Sequence, residues 1–131
     1  MTHRRTLESV ASGTAGTALL VAAFLVLLRA EVPGVAVVVW AAVALIAVFA
    51  FLTRYRPATM GEAVKEGLLL AVGQTVALHG VLWAMLGEAA APTWVQVARH
   101  GVAFALLDVG TLATTAVLGR WFPHRPSGTR R

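Results

Sequence analysis

The sequence predicts an all-α integral membrane protein with four transmembrane helices arranged as two like-oriented helical hairpins. Three observations carry this expectation. Hydrophobic residues make up 58% of the chain and charged residues only 13%. The charges gather at the edges of four apolar blocks. The second and fourth blocks also end on the same punctuation, Arg54-Tyr55-Arg56-Pro57 and Arg120-Trp121-Phe122-Pro123. A soluble fold of 131 residues built from such blocks would keep almost no polar surface to cover them. We therefore read 1–131 as a single membrane domain, with spans at about 10–28, 33–53, 67–86 and 98–119 and a basic cytoplasmic tail over 120–131.

No charge occurs in Val10–Leu28, Val32–Thr53 or Gly67–Gly87, and each block reaches the ~20 residues needed to cross a ~30 Å hydrocarbon core. The first block exceeds the ~7–15 apolar residues of a signal peptide and three more spans follow it, so it is expected to stay in the mature protein, after a short basic lead over Met1–Glu8. Pro33-Gly34 marks a tight turn, which makes the first two helices antiparallel neighbours. Pro57 stops the second helix, and Thr59-Met60-Gly61-Glu62 has capping-box spacing. The third helix then starts near Met60, with Glu62, Lys65 and Glu66 in its cytoplasmic first turns. A second box, Thr93 to Gln96, follows Pro92 and starts the fourth helix near Trp94.

The fourth block, Trp94–Gly119, differs in carrying Arg99, His100 and Asp108. As a helix it is ~39 Å long at 1.5 Å per residue, longer than the hydrocarbon core. Arg99 and His100 thus reach the outer boundary, whereas Asp108 falls within about a turn of the midplane. Gly13 through Pro57 and Gly73 through Pro123 repeat the same order of helix, Pro-marked turn, helix and Arg-aromatic ending. Two helices separate equivalent points, so the copies share one orientation.

Of the eleven Lys and Arg residues, nine fall at the two ends and the central connection: Arg4, Arg5, Arg54, Arg56, Lys65, Arg120, Arg125, Arg130 and Arg131. Only Arg29 and Arg99 remain for the outer side, a positive-inside asymmetry that puts both termini in the cytoplasm. The net charge of +5 is explained by this topology and implies no nucleic-acid partner. The absence of cysteine excludes disulfides and thiol chemistry.

Asp108 is the sharpest candidate for function, because a carboxylate at the centre of a span costs roughly 2.5–3.5 kcal/mol on insertion scales. Thr111 and Thr115 share its helical stripe. The third span offers His79, Gln74 and Thr75, and counting residues puts Asp108 between His79 and Gln74 in height. A carboxylate–imidazole contact there can hold a proton or position a polar headgroup. The plainer reading is interhelical glue worth ~0.6–2 kcal/mol. Arg99 and His100 can bind a phosphate outside, and Arg54, Arg56, Arg120 and Arg125 one inside, where they also serve anionic-lipid anchoring.

Tyr55, Trp94 and Trp121 read as interface-belt residues, and Trp40 and Trp83 as packing or substrate contacts. Small residues at Ser12, Gly13, Gly16 and Thr17, and at Gly73, Ala77, Gly80 and Ala84, suit close helix packing within the chain or in a homo-oligomer. Two histidines on different helices with one carboxylate lack metal-ligand spacing. No catalytic constellation is present, so neither enzyme activity nor a cofactor is expected.

The stretches Ala50-Phe51-Leu52-Thr53-Arg54-Tyr55 and Val117-Leu118-Gly119-Arg120-Trp121-Phe122 resemble the phrase Asn-Phe-Leu-x-Asn-Arg-x-Trp-x-Phe that closes each hairpin in the GtrA-like family. Gly13, Gly16 and Gly73 sit where that family places its Val-Gly turns. The resemblance runs from about Ser9 to Arg125. It departs at Thr53 and Gly119, where the family has asparagine, and the first copy lacks the terminal aromatic pair. It implies a small plasma-membrane protein that assists translocation or presentation of a lipid-linked sugar in cell-surface polysaccharide synthesis. Membrane lipids, a polyprenyl-phosphate sugar and a glycosyltransferase would be its partners, with the inner arginines on the phosphate and the Asp108 stripe on the sugar hydroxyls. Two other classes suit the residues. One is a small proton-coupled exporter using Asp108, similar in size to the small multidrug resistance proteins but without their first-span glutamate. The other is an accessory or scaffolding subunit of a membrane complex.

Overall fold

The computed structural model describes residues 2–121. Phe122, Pro123, Arg125, Arg130, Arg131 and the rest of the basic tail lie outside the described residues. Within them the chain forms four α-helices, α1 (Thr2–Arg29), α2 (Gly34–Arg54), α3 (Met60–Leu86) and α4 (Trp94–Trp121), with a 3-10 turn at Glu88–Ala90. All four helices are long and apolar enough to cross a membrane.

The connections follow local chemistry. α1 ends as Glu31 takes a left-handed conformation, φ 48°, and Pro33, held extended, leads into α2. The turn predicted at Pro33-Gly34 is present, but the left-handed residue is Glu31, while Gly34 is already helical. At the start of α3 the Glu62 N–H donates to Thr59 Oγ1 (3.2 Å) and the Ala58 N–H donates to Glu62 Oε2 (3.1 Å). Ahead of α4 the box is reciprocal, Gln96 N–H to Thr93 Oγ1 at 3.3 Å and Thr93 N–H to Gln96 Oε1 at 3.1 Å. The second box thus forms as its spacing predicts, whereas in the first Glu62 reaches the N–H of Ala58, one residue before the Thr59 cap.

The helices overshoot the apolar blocks. α1 begins at Thr2, so the lead expected before it is helical from there on, with an Arg4–Glu8 ion pair (3.2 Å) across one turn. Hydropathy marks the residues that tolerate hydrocarbon, whereas helical hydrogen bonding continues into the charged turns beyond it.

α3 is the central helix, packed against α1 and α4. Its buried stripe, Ala63, Gly67, Leu70, Ala71 and Ala77, follows helical spacing. Gly67 lies so close to α4 that a Cβ there would be 2.9 Å from Val109 Cα. Gly13 of α1 and Gly73 of α3 press instead on the side chains of Leu70 and Thr14 of the facing helix. Gly16 and Gly80 face open space, and Ala84 is exposed. The stripe Gly73-Ala77-Gly80-Ala84 therefore packs only over its first half. A small core of Ala63, Leu112 and Ala116, with Leu52 and Ala113 against it, joins α3 to α4.

α2 is peripheral and buries no residue. Trp40 ties it to α1 by donating from Nε1 to Leu20 O (3.1 Å) and by packing on Phe24, with ring centroids 4.9 Å apart. Beyond the helix end, Tyr55 Oη meets Ser12 Oγ at 3.1 Å. Trp40 is thus a packing residue. Tyr55, expected in the interface belt, is buried because its hydroxyl has this inward partner. Trp94 and Trp121 are exposed at the two ends of α4.

Candidate functional site

A cavity of about 280 Å³ lies among all four helices. α1 leaves room for it with Gly13 and Gly16, and α2 closes one side with Val48 and Phe51. Leu70 and Gln74 come from α3, Asp108 and Thr111 from α4. The walls are mostly apolar, so the few polar atoms decide what fits. Asp108 Oδ2 and Gln74 Oε1 are both buried without a hydrogen-bond partner. The Thr111 and Thr17 hydroxyls donate to carbonyls of their own helices, Leu107 O at 2.5 Å and Gly13 O at 2.9 Å. Apart from the Gln74 amide N–H groups, the cavity therefore presents acceptors, since the Thr17 and Thr111 hydroxyl donors are already engaged. An unmet buried acceptor costs about 1–3 kcal/mol, which a hydroxyl- or ammonium-bearing ligand would recover.

Asp108, Gln74 and Thr111, singled out in the sequence, are thus brought together. His79 is not among them. Its Nε2 lies 3.1 Å from His100 Nδ1, with ring centroids 5.0 Å apart. Gly67 abuts Val109 and Gly101 faces Thr75, so Asp108 stands level with Gly67 and Leu68, roughly 17 Å from the height of His79 along the helix axis. The expected position between Gln74 and His79 is corrected accordingly. Counting within each apolar block ignores the register that the Gly67–Val109 contact imposes between helices.

The arginines divide into three groups. Arg56 and Arg120 share a cleft of about 290 Å³ with Pro57, Ala58, Ala116 and Gly119. Gly119 makes room for the Arg56 side chain, whose Nε would lie 3.4 Å from a Cβ at that position. Arg54 does not line this cleft, and its guanidinium lies 5.6 Å from the Tyr55 ring centroid. Arg99 is exposed near the opposite end of α4, away from the other three. Cavity and cleft occupy successive turns of α4, from Asp108 through Leu112 to Ala116 and Arg120.

Sequence reasoning missed Glu66 and Ser9. Glu66 is 3% and Ser9 1% exposed, and Glu66 Oε2 and Ser9 Oγ have no partner. Glu66 reads as a solvated first-turn acid beside Lys65 and Glu62. The available signal is its place one and two turns before Leu70 and Gln74, on the stripe that faces the other helices. Among the described residues no three potential metal ligands gather. No family model matches the chain, nor does any curated protein or solved structure.

Proposed function

We propose that this protein assists translocation or presentation of a lipid-linked sugar in cell-surface polysaccharide synthesis, as its resemblance to the GtrA-like family implies. The observation that carries the reading is the succession on α4 of an acceptor-lined cavity and a two-arginine cleft. Guanidinium forks match phosphate oxygens, so Arg56 and Arg120 suit the phosphate of a polyprenyl-phosphate sugar. The sugar hydroxyls donate to Asp108 and Gln74, while Phe51, Val48 and Leu70 take the apolar faces. Thr111 of the cavity and Ala116 of the cleft are ~7.5 Å apart along the helix, about the span of a hexosyl phosphate. A glycosyltransferase would supply or consume this ligand.

The hairpins are read as like-oriented, with both termini on the cytoplasmic face of the plasma membrane. Contacts that advance together along α1 and α3 support this: Gly13 with Leu70, Thr14 with Gly73, and the Arg29 guanidinium with the Met85 carbonyl. The arginine asymmetry supports the side.

The test is movement of a polyprenyl-phosphate hexose between leaflets of liposomes containing the full chain. Asp108→Asn and Arg120→Ala should each slow it by about tenfold or more, the loss expected for a charge-assisted contact. Unchanged movement in both variants overturns the proposal. The unpartnered carboxyl of Asp108 also suits a small proton-coupled exporter. Proton flux that depends on a cationic substrate in the same liposomes, without sugar movement, would favour that reading.

A further inference from the structure

Glu66 and Ser9 line neither the cavity nor the cleft, yet each is almost fully withdrawn from solvent. Gly13 of α1 presses on Leu70 of α3. Ser9 and Glu66 precede these residues by one helical turn each, so they occupy one layer of the α1–α3 seam. A carboxylate in such a layer requires a proton or a counter-charge.

Arg5, one further turn along the same face of α1, is the cation acting most strongly on Glu66, ahead of Lys65 on α3, while Glu62 opposes both. Among the described residues Arg5 nonetheless makes no ion pair with Glu66. Its Nη2 donates to the Arg56 carbonyl, in the connection between α2 and α3. α4 meets this level of α3 through the apolar Val109, with Asp108 the titratable group beside it. The connection contributes Tyr55, whose hydroxyl is engaged by Ser12, and Arg56 itself.

We infer that Glu66 is a proton-binding site whose occupancy sets the position of Arg5 and, through it, the shape of the Arg56–Arg120 cleft. With the proton on the carboxyl, the guanidinium stays on the Arg56 carbonyl. When the proton leaves for the aqueous phase, the carboxylate becomes the stronger acceptor, since a hydrogen bond between two charged partners exceeds one to a neutral carbonyl. Arg5 then turns to Glu66 and the Arg56 backbone is released. One proton is exchanged and no other group changes charge. The switch concerns the shape of the cleft and requires neither a phosphate nor a sugar in it.

The chain has no cysteine, so Ala58→Cys places a single thiol in the cleft wall of the full-length protein. Its labelling rate by a membrane-impermeant maleimide is measured in liposomes from acidic to alkaline pH, alone and combined with Glu66→Gln. The ratio of the two rates cancels the titration of the thiol itself. The ratio is expected to change by about threefold or more across the range, as a gained or lost hydrogen bond would produce. Adding Arg5→Gln should flatten it. A ratio that stays constant, or that still changes without Arg5, overturns the switch. Infrared difference spectra over the same range give a second reading, through a carboxylic-acid band lost in Glu66→Gln and kept in Asp108→Asn. If the titrating band survives Glu66→Gln, the site is not Glu66.

Discussion

Replacing Gly67 with alanine tests whether backbone approach sets the register of α3 on α4. The added methyl carbon would lie 2.6 Å from Val109 Cγ2 and 2.9 Å from both Val109 Cα and N. A rotamer change relieves the first contact but not the other two. The helices must part by about 0.5–1 Å to reach ordinary van der Waals separation, which loosens the Ala63, Leu112 and Ala116 core beside them. Overpacking of this kind costs about 1–3 kcal/mol, and the better helix propensity of alanine returns up to ~1 kcal/mol. The net expectation is a loss of about 1–2 kcal/mol. Gly80→Ala is the control, because a Cβ there meets nothing within 4 Å, and it should be neutral or up to ~1 kcal/mol stabilising. Equilibrium unfolding in mixed micelles reads both variants. Equal stability of the two would refute backbone contact as the limit on this seam.

Two further outcomes can be read in the same assay. Asp108→Leu should raise stability by about 1–3 kcal/mol, because it removes a buried acceptor that has no partner; a loss of stability would show that Asp108 is interhelical glue. Glu31→Gly should raise it by about 0.5–1 kcal/mol, since φ 48° strains a side-chain-bearing residue and the greater freedom of glycine in the unfolded chain offsets part of the relief. A lower melting temperature would count against that account.

The helices were legible because each crossing requires a run of uncharged residues, and their starts because Thr59 with Glu62 and Thr93 with Gln96 are local patterns. The register of α3 against α4 was not legible. It depends on Gly67 meeting Val109, an agreement between distant positions that no local spacing announces. For the same reason Asp108, Gln74 and Thr111 could be singled out as rare polar residues within spans, but the pairing of His79 with His100 could not. Glu66 was hidden by its charged neighbours, and only the direction in which α3 turns its packed face separates it from Lys65.

α2 is held to the bundle by few polar ties, although it closes one side of the cavity. Swinging it outward breaks the Trp40–Leu20 and Ser12–Tyr55 hydrogen bonds, at roughly 0.5–1.5 kcal/mol each. The exposed Val43, Ile46 and Phe49 stay in hydrocarbon in either position. The Leu52 packing on the Ala63, Leu112 and Ala116 core and the Trp40–Phe24 ring contact would be lost along with those hydrogen bonds, but the surface so exposed would meet lipid rather than water. For the polyprenyl-phosphate sugar proposed above, an entrance beside α2 would lead into the cavity from within the bilayer, so that its tail need not leave the hydrocarbon.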